Sequence, residues 1–141
     1  LIPSLVVELC HPHAQLPSKK RTGDAGYDLY TPVDVIIDPN SQMVVPLGIK
    51  TEFPDYWVAL VKDRSSVALR GCHVVAGVVD SSYRGEWKLV LWNLSDEPIG
   101  FLTGEKIAQF VLTPIINNLQ PKQGKVSESD RGSGGFGSSG R

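Results

Sequence analysis

The sequence predicts an all-β domain of the sandwich or barrel kind, and three observations carry that reading. Apolar runs are short, about five to eight residues. Clusters of Gly, Pro, Asn, Asp and Ser interrupt them at intervals of roughly 8–12 residues, the spacing of many-stranded β domains. No stretch keeps a sustained helical period. At 141 residues the chain is one domain, long enough to bury a sizeable core.

In order, residues 5–9 form a first strand, and residues 12–22, with two prolines and Lys19-Lys20-Arg21, form a solvated loop. Gly23-Asp24-Ala25-Gly26 is a glycine turn feeding a strand through Tyr27-Asp28-Leu29-Tyr30. Residues 33–37 and 43–45 are strands joined by the turn Asp38-Pro39-Asn40-Ser41. Residues 48–53 and 56–61 repeat the scheme across Pro54-Asp55. The single helical turn is expected over 65–70, capped by Ser65 or Ser66 and stopped by Gly71. Val74 and Val75 lead into, and Leu89 to Trp92 lead out of, a β-hairpin whose bend is Gly77 to Glu86. Residues 106–112 are the last strand. The β domain is therefore assigned to residues 1–116 and a flexible Gly-rich C-terminal arm to residues 117–141. Residues 131–141 hold five Gly, three Ser, two Arg and one Phe, too little apolar surface to fold alone. Fully extended, the arm reaches up to roughly 80 Å at about 3.3 Å per residue, far enough to visit a neighbouring subunit.

A net charge of -1 with no block of like charges excludes duplex nucleic acid and anionic membrane as main partners. Neither a signal peptide nor a bilayer-length apolar run occurs, so an intracellular site (cytoplasm or nucleus), or a virion if the source is viral, is expected. The missing initiator Met is compatible with a processed product, a piece of a longer polypeptide or a trimmed chain. The two cysteines lack metal-type spacing and cannot make a disulfide scaffold. Cys10-His11-Pro12-His13 reads as a strand end rather than a zinc site, since four ligands do not converge there.

At the hairpin, bracketing glycines permit a sharp turn or a close approach to a ligand. They would hold Asp80 on a rigid edge with Tyr83 three positions on, a place for a general base beside a ring-shaped substrate. Taken alone, the same residues also make an ordinary surface turn with a solvated carboxylate. In the arm, Arg131 and Phe136 set a charge and a ring in a glycine framework, suited to closing on an anion and an aromatic face. The framework is not a Walker loop, because no Gly-Lys-Ser/Thr leads into a helix.

Five stretches stand out together: Ala25-Gly26-Tyr27-Asp28-Leu29, Arg64-Ser65-Ser66, Gly77 to Glu86, Gly104-Glu105-Lys106-Ile107-Ala108-Gln109, and Arg131 to Gly140. In order and spacing they resemble the five signature motifs of the homotrimeric dUTPases, over about residues 23–141. Arg64-Ser65-Ser66 followed by Val67-Ala68-Leu69-Arg70-Gly71 looks most like viral, retroviral-type members. The resemblance implies a distorted jelly-roll β-barrel or sandwich that trimerises and shares its active sites among subunits. It implies Mg²⁺-dependent hydrolysis of dUTP to dUMP and pyrophosphate by water attack on the α-phosphate. That reaction keeps uracil out of DNA and supplies dUMP for thymidylate synthesis.

By the same resemblance Asp80 activates the attacking water, and Asp28 orients a metal-bound water from outside the metal's direct ligands. The family often carries another acid two positions after the catalytic aspartate, where this chain has Ser82. Arg64, Ser65 and Ser66 cradle phosphates, and Tyr83 packs on deoxyribose and leaves no room for a 2′-hydroxyl. Backbone groups around Val74 and Gly77, Val78 and Val79 read uracil, and Lys88 touches the nucleotide through backbone. Gln109 is a further contact of the family, although a structural role on the last strand is the stronger reading of the residue itself. Arg131, Phe136, Gly137, Ser138 and Ser139 close over the nucleotide. With no carboxylate cluster in the sequence, Mg²⁺ would be held mainly by phosphates and water. A dCTP deaminase on the related fold, a signalling relative without catalysis and a capsid-like jelly roll are the rivals. The uracil hairpin, the presence of all five motifs and the Gly-Phe tail, respectively, argue against them.

Overall fold

In the computed structural model, which describes residues 2–140, eleven short strands and one helical turn make up the ordered framework. The strands are β1 (Val6–Leu9), β2 (Tyr27–Tyr30), β3 (Val35–Ile37), β4 (Ser41–Pro46), β5 (Ile49–Glu52) and β6 (Trp57–Lys62). After α1 (Ser65–Ala68) come β7 (Cys72–Ala76), β8 (Val78–Asp80), β9 (Lys88–Asn93), β10 (Ile99–Phe101) and β11 (Lys106–Pro114). All pairings are antiparallel, and they form four sheets in the orders β1-β5, β10-β3, β2-β11-β6-β8 and β4-β9-β7. The expected all-β jelly-roll architecture is present, without a closed barrel among the described residues. No described helix is long and apolar enough to cross a membrane.

The sheets enclose one core. Burial alternates along β3, β5, β9 and β10, as a pleated strand with one buried face requires. Leu29, Ile37, Leu47, Leu89, Leu91, Ile107 and Phe110 are all essentially inaccessible. Each such side chain contributes about 1.5–3 kcal/mol relative to exposure. Phe110 stacks on Tyr27 at 5.1 Å and meets Trp87 edge-on at 5.0 Å. The Trp87 indole donates to Thr51 Oγ1 at 2.9 Å, so its one polar atom is satisfied inside the core. Trp87 thus anchors the segment that follows residues 81–86.

Local expectations are corrected at four points. First, Asp80 does not sit at the bend of a hairpin. β7 pairs with β9, with an irregularity between Val74 and Ala76, and the chain then leaves that sheet. At Gly77 it crosses to the other sheet, where the Gly77 carbonyl accepts the Val61 N–H at 2.7 Å and β8 continues alongside β6. A Cβ at Gly77 would stand 2.7 Å from the Val61 carbonyl oxygen, so the crossing needs glycine. Second, α1 is not capped by a serine: Arg64 occupies the N-cap in extended conformation with no side-chain cap bond. Third, β10 escaped the sequence reading, because Ile99-Gly100-Phe101 is only three residues long and follows Pro98. Ser41, read as a turn residue, already opens β4, and Asn40 carries the turn with φ 52°.

Asn93, facing Cys72 across β7–β9, is a buried polar hub. Its amide donates to the carbonyls of Ile37 (3.0 Å) and Glu97 (2.7 Å), and its oxygen accepts the Ser95 N–H at 2.9 Å. Asn93→Ala leaves those groups without partners inside the protein and is expected to cost about 2–3 kcal/mol. The check is the urea midpoint at fixed chain concentration, where a shift equivalent to under about 0.5 kcal/mol would contradict the hub. Burial, with repulsion from the Asp63 carboxylate adding to it and Arg70 opposing, pushes the Cys72 thiol up to about 11. Cys72 is therefore neutral and shielded at pH 8, whereas Cys10 is exposed. An aromatic disulfide reagent at pH 8 should titrate one thiol in the native protein and two in urea; two fast native thiols would contradict this.

Candidate active site

Strand β6 carries the site, since it pairs with β11 on one side and β8 on the other. At its C-terminal end Lys62 stands opposite Gln109, which in turn faces Asp28 of β2. At its N-terminal end Val58 stands opposite Asp80. The motif residues are thereby sorted into two groups.

The first group surrounds a cavity of about 380 Å³ lined by Lys20, Asp24, Ala25, Gly26, Asp28, Arg64, Ser65, Lys106 and Gln109. Asp28 organises it. One carboxylate oxygen lies 3.2 Å from Arg64 Nε and the other 3.2 Å from Lys106 Nζ, and the side chain is only 16% exposed. Arg64 therefore pairs with Asp28 and not with its neighbour Asp63. Arg64 also approaches the Ser66 hydroxyl at 3.4 Å. The backbone of Asp28 is fixed by a bridge to Ser18, with N–H to carbonyl distances of 2.7 and 3.3 Å. Gln109 donates to the Asp63 carbonyl at 2.8 Å, so its amide positions the chain just ahead of Arg64. Three cations against two carboxylates, with Ser65 in the lining and the Ser66 hydroxyl beside Arg64, give this cradle a composition suited to an anion.

The second group surrounds a cavity of about 220 Å³ lined by Val78, Val79, Asp80, Tyr83, Trp87 and Lys88. A turn joins its two key residues, the Tyr83 N–H donating to the Asp80 carbonyl at 3.1 Å. The Tyr83 hydroxyl donates to the Glu86 carbonyl at 2.9 Å, which holds the ring upright. Among the described residues the Asp80 carboxylate has no hydrogen bond and no ion pair, and it is exposed. Since the Gly77 carbonyl faces β6, antiparallel alternation aims the N–H and carbonyl of Val78 the other way, at the sheet edge. Val74 and Gly77, expected here, line an adjoining cavity with Leu60, Val61 and Lys62 that shares Val78 with this one, and the Val74 N–H is taken by Asp63 Oδ1 at 2.7 Å.

Several positioning residues were missed in the sequence. Arg84 donates to the carbonyls of Ser81 (2.6 Å) and Thr51 (3.3 Å) and lies 3.4 Å from Glu52. Glu86 accepts the Gly48 N–H at 2.9 Å, at a turn whose φ of +69° requires glycine. Both residues tie the loop bearing Asp80 and Tyr83 to β5 and its preceding turn. Asp63 grips β7 through Val74 and through His73 Nδ1 at 2.8 Å. Lys20 and Lys106 line the anion cradle. The opposed charges at spacings of two in Tyr83-Arg84-Gly85-Glu86 were the available signal for the loop; nothing local marks Asp63.

The arm joins neither group in this chain. Residues 115–129 run without regular structure, and residues 129–140 fold on themselves through turns. Arg131 Nε donates to the Gly134 carbonyl at 2.7 Å, and the Phe136 ring is fully exposed. Residues 1 and 141, included in the expected domain and arm, lie outside the described residues.

No three carboxylate, His or Cys side chains among the described residues converge as a metal cage. The cradle's acids are Asp24 and Asp28, and both Asp28 oxygens already face cations. This donor set suits a cation arriving bound to phosphates, with a carboxylate nearby to accept from its waters.

The geometry agrees with relatedness. A model described as dUTPase matches residues 12–140. A deoxyuridine 5'-triphosphate nucleotidohydrolase of Clostridium tetani (strain Massachusetts / E88) is 36% identical over 141 residues, covering 98% of this chain and 97% of its own. One of Mycolicibacterium gilvum (strain PYR-GCK) is 38% identical over 146 residues, covering 97% and 95%. Among solved structures, the Staphylococcus bacteriophage 80alpha dUTPase with dUPNHPP aligns with a TM-score of 0.88 at 26% identity, over 98% of this chain and 99% of that one.

Proposed function

Because the chain belongs to the dUTPase family, we propose that it hydrolyses dUTP to dUMP and pyrophosphate, with each active site assembled from more than one copy of the chain. The observation that carries this reading is the division of the motif residues between two cavities at opposite ends of β6.

The second cavity takes deoxyuridine. Tyr83 forms one wall against the sugar, and the Val78 backbone at the sheet edge supplies one donor and one acceptor for the uracil edge. Buried polar groups that match uracil are left unpaired by cytosine, a strong basis for discrimination. Val79 closes the slot from the core side, and Lys88 flanks it through backbone. The first cavity takes the phosphates on Arg64, Ser65, Ser66 and Lys106, with Asp28 and Gln109 holding the cradle in shape. A triphosphate carries about four negative charges near neutral pH, so preorganised cations and hydroxyls are what its transfer chemistry needs.

Asp80 is the general base: it takes a proton from water as the water oxygen bonds to the α-phosphorus. The bond from that phosphorus to the bridging oxygen breaks, and pyrophosphate leaves with the electron pair. A carboxylate with no partner of its own is free for that role. Mg²⁺ bound to the phosphates would neutralise charge on them, with Asp28 placed to accept from its water shell. Arg131, Phe136, Gly137, Ser138 and Ser139 form a closing arm, Phe136 stacking over the base and Arg131 meeting phosphate. The arm would serve a site outside its own cradle, a reading supported by its docking on neither cavity of its own chain. A homotrimer, the state the resemblance implies, would bring the two half-sites and the arm together.

Asp80→Asn keeps the shape of the slot and removes the base. The substitution is expected to lower kcat by about 10²–10⁴-fold with KM for dUTP changed only a few-fold. Pyrophosphate release from dUTP, dCTP, dTTP and UTP, with and without magnesium, is the measurement. Near-parental turnover by the variant would remove Asp80 from the mechanism, and equal turnover of dCTP or UTP by the parent would overturn the specificity.

A further inference from the structure

We propose that Lys20, on a loop outside the five motifs, is a further phosphate-binding residue that holds the pyrophosphate end of the substrate; the assignment of the cradle to phosphates rests on the proposed function. Three cations line the cradle, and two of them, Arg64 and Lys106, lie 3.2 Å from the oxygens of Asp28. The other acid, Asp24, accepts the Arg21 N–H at 3.2 Å and caps its own turn. Lys20 has no ion pair or hydrogen bond among the described residues, so the cradle's surplus positive charge resides on it.

Its placement is fixed by its neighbours. Ser18 is bridged to Asp28 through the backbone, and its hydroxyl lies 2.6 Å from the Tyr30 hydroxyl. The Lys19 ammonium sits over the Tyr27 ring at 4.5 Å from the centroid. The next residue therefore starts from a held backbone, and the turn between Arg21 and Asp24 closes the loop beyond it. Adjacent lysines have separate fates: one is absorbed by an aromatic face, and the other lines the anion cavity. Lys20 is exposed and, among the described residues, unpaired at the cradle, and the β- and γ-phosphates carry most of a triphosphate's charge, so they are the groups its ammonium attracts most strongly.

The test compares the parent with Lys20→Gln and Lys20→Arg. Binding of inorganic pyrophosphate with magnesium is measured by calorimetry at several salt concentrations, and binding of deoxyuridine is measured alongside. Lys20→Gln is expected to weaken pyrophosphate about five- to tenfold and to flatten its salt dependence, the scale of one partly solvated charge-assisted contact. Deoxyuridine binding stays at the parental value, and Lys20→Arg restores pyrophosphate binding. Parental pyrophosphate binding by Lys20→Gln, or an equal loss for deoxyuridine, would overturn the proposal. A parent that releases no pyrophosphate from dUTP would overturn the functional reading instead, since the binding measurement requires no turnover.

Discussion

The antiparallel register of β6 is the constraint on which the rest depends. It sets Asp28, Gln109 and Lys62 in one row and Asp80 opposite Val58, four residues away along the same strand. At about 3.3 Å per residue along strands and 4.8 Å between them, Asp28 and Asp80 lie roughly 20 Å apart on opposite sides of β6. A general base and the phosphate it works on must sit within hydrogen-bond reach of a shared water. Under the proposed function one chain therefore presents two half-sites that stand too far apart to act on one substrate. Nothing short of breaking the β6 pairings would bring them together, so under the proposed function completing the chemistry falls to another copy.

Each half-site is stiffened by different physics. In the cradle, a poorly exposed carboxylate holds an arginine and a lysine that would otherwise repel one another. In the slot beside Asp80, the work is done by backbone: a glycine crossing between sheets, an edge strand with one residue's polar groups facing outward, and a loop tied by Arg84 and Glu86 to β5 and the turn before it. The Asp80 carboxylate, the proposed base, has no partner among the described residues and stands in the middle of this frame. That arrangement keeps it available while Arg84, Glu86 and the Tyr83 hydroxyl around it are paired.

Much of this was legible in the sequence. Alternating apolar runs and turn residues placed nine of the eleven strands, because burial of one face of each strand leaves a period of two; β8 was absorbed into the expected bend and β10 is too short to show a pattern. The motif residues were found by their order and spacing; the structure places Asp80 and Tyr83 at one cavity and Asp28 and Arg64 at another. The crossover at Gly77 was hidden because Val74 to Trp92 has the pattern of a hairpin; which strand β8 joins depends on β6, some twenty residues earlier. The partner of Arg64 was equally out of reach, since sequence adjacency favours Asp63 while the fold delivers Asp28 from β2. Lys20 looked like one of three solvated charges, and only the capture of Lys19 by Tyr27 distinguishes it.

The central claim is that the anion cradle of one chain works with the Asp80 slot of another. Its most direct measurement is subunit complementation. Asp80→Asn and Arg64→Ala chains, each impaired alone, are unfolded together, refolded as a mixture and assayed for pyrophosphate release from dUTP. Shared sites predict recovery toward about a quarter of parental activity at equal proportions, since that fraction of sites pairs an intact cradle with an intact base. Activity no greater than the sum of the separate variants, in a mixture shown to form mixed oligomers, would place both halves of the site in one chain and contradict the account.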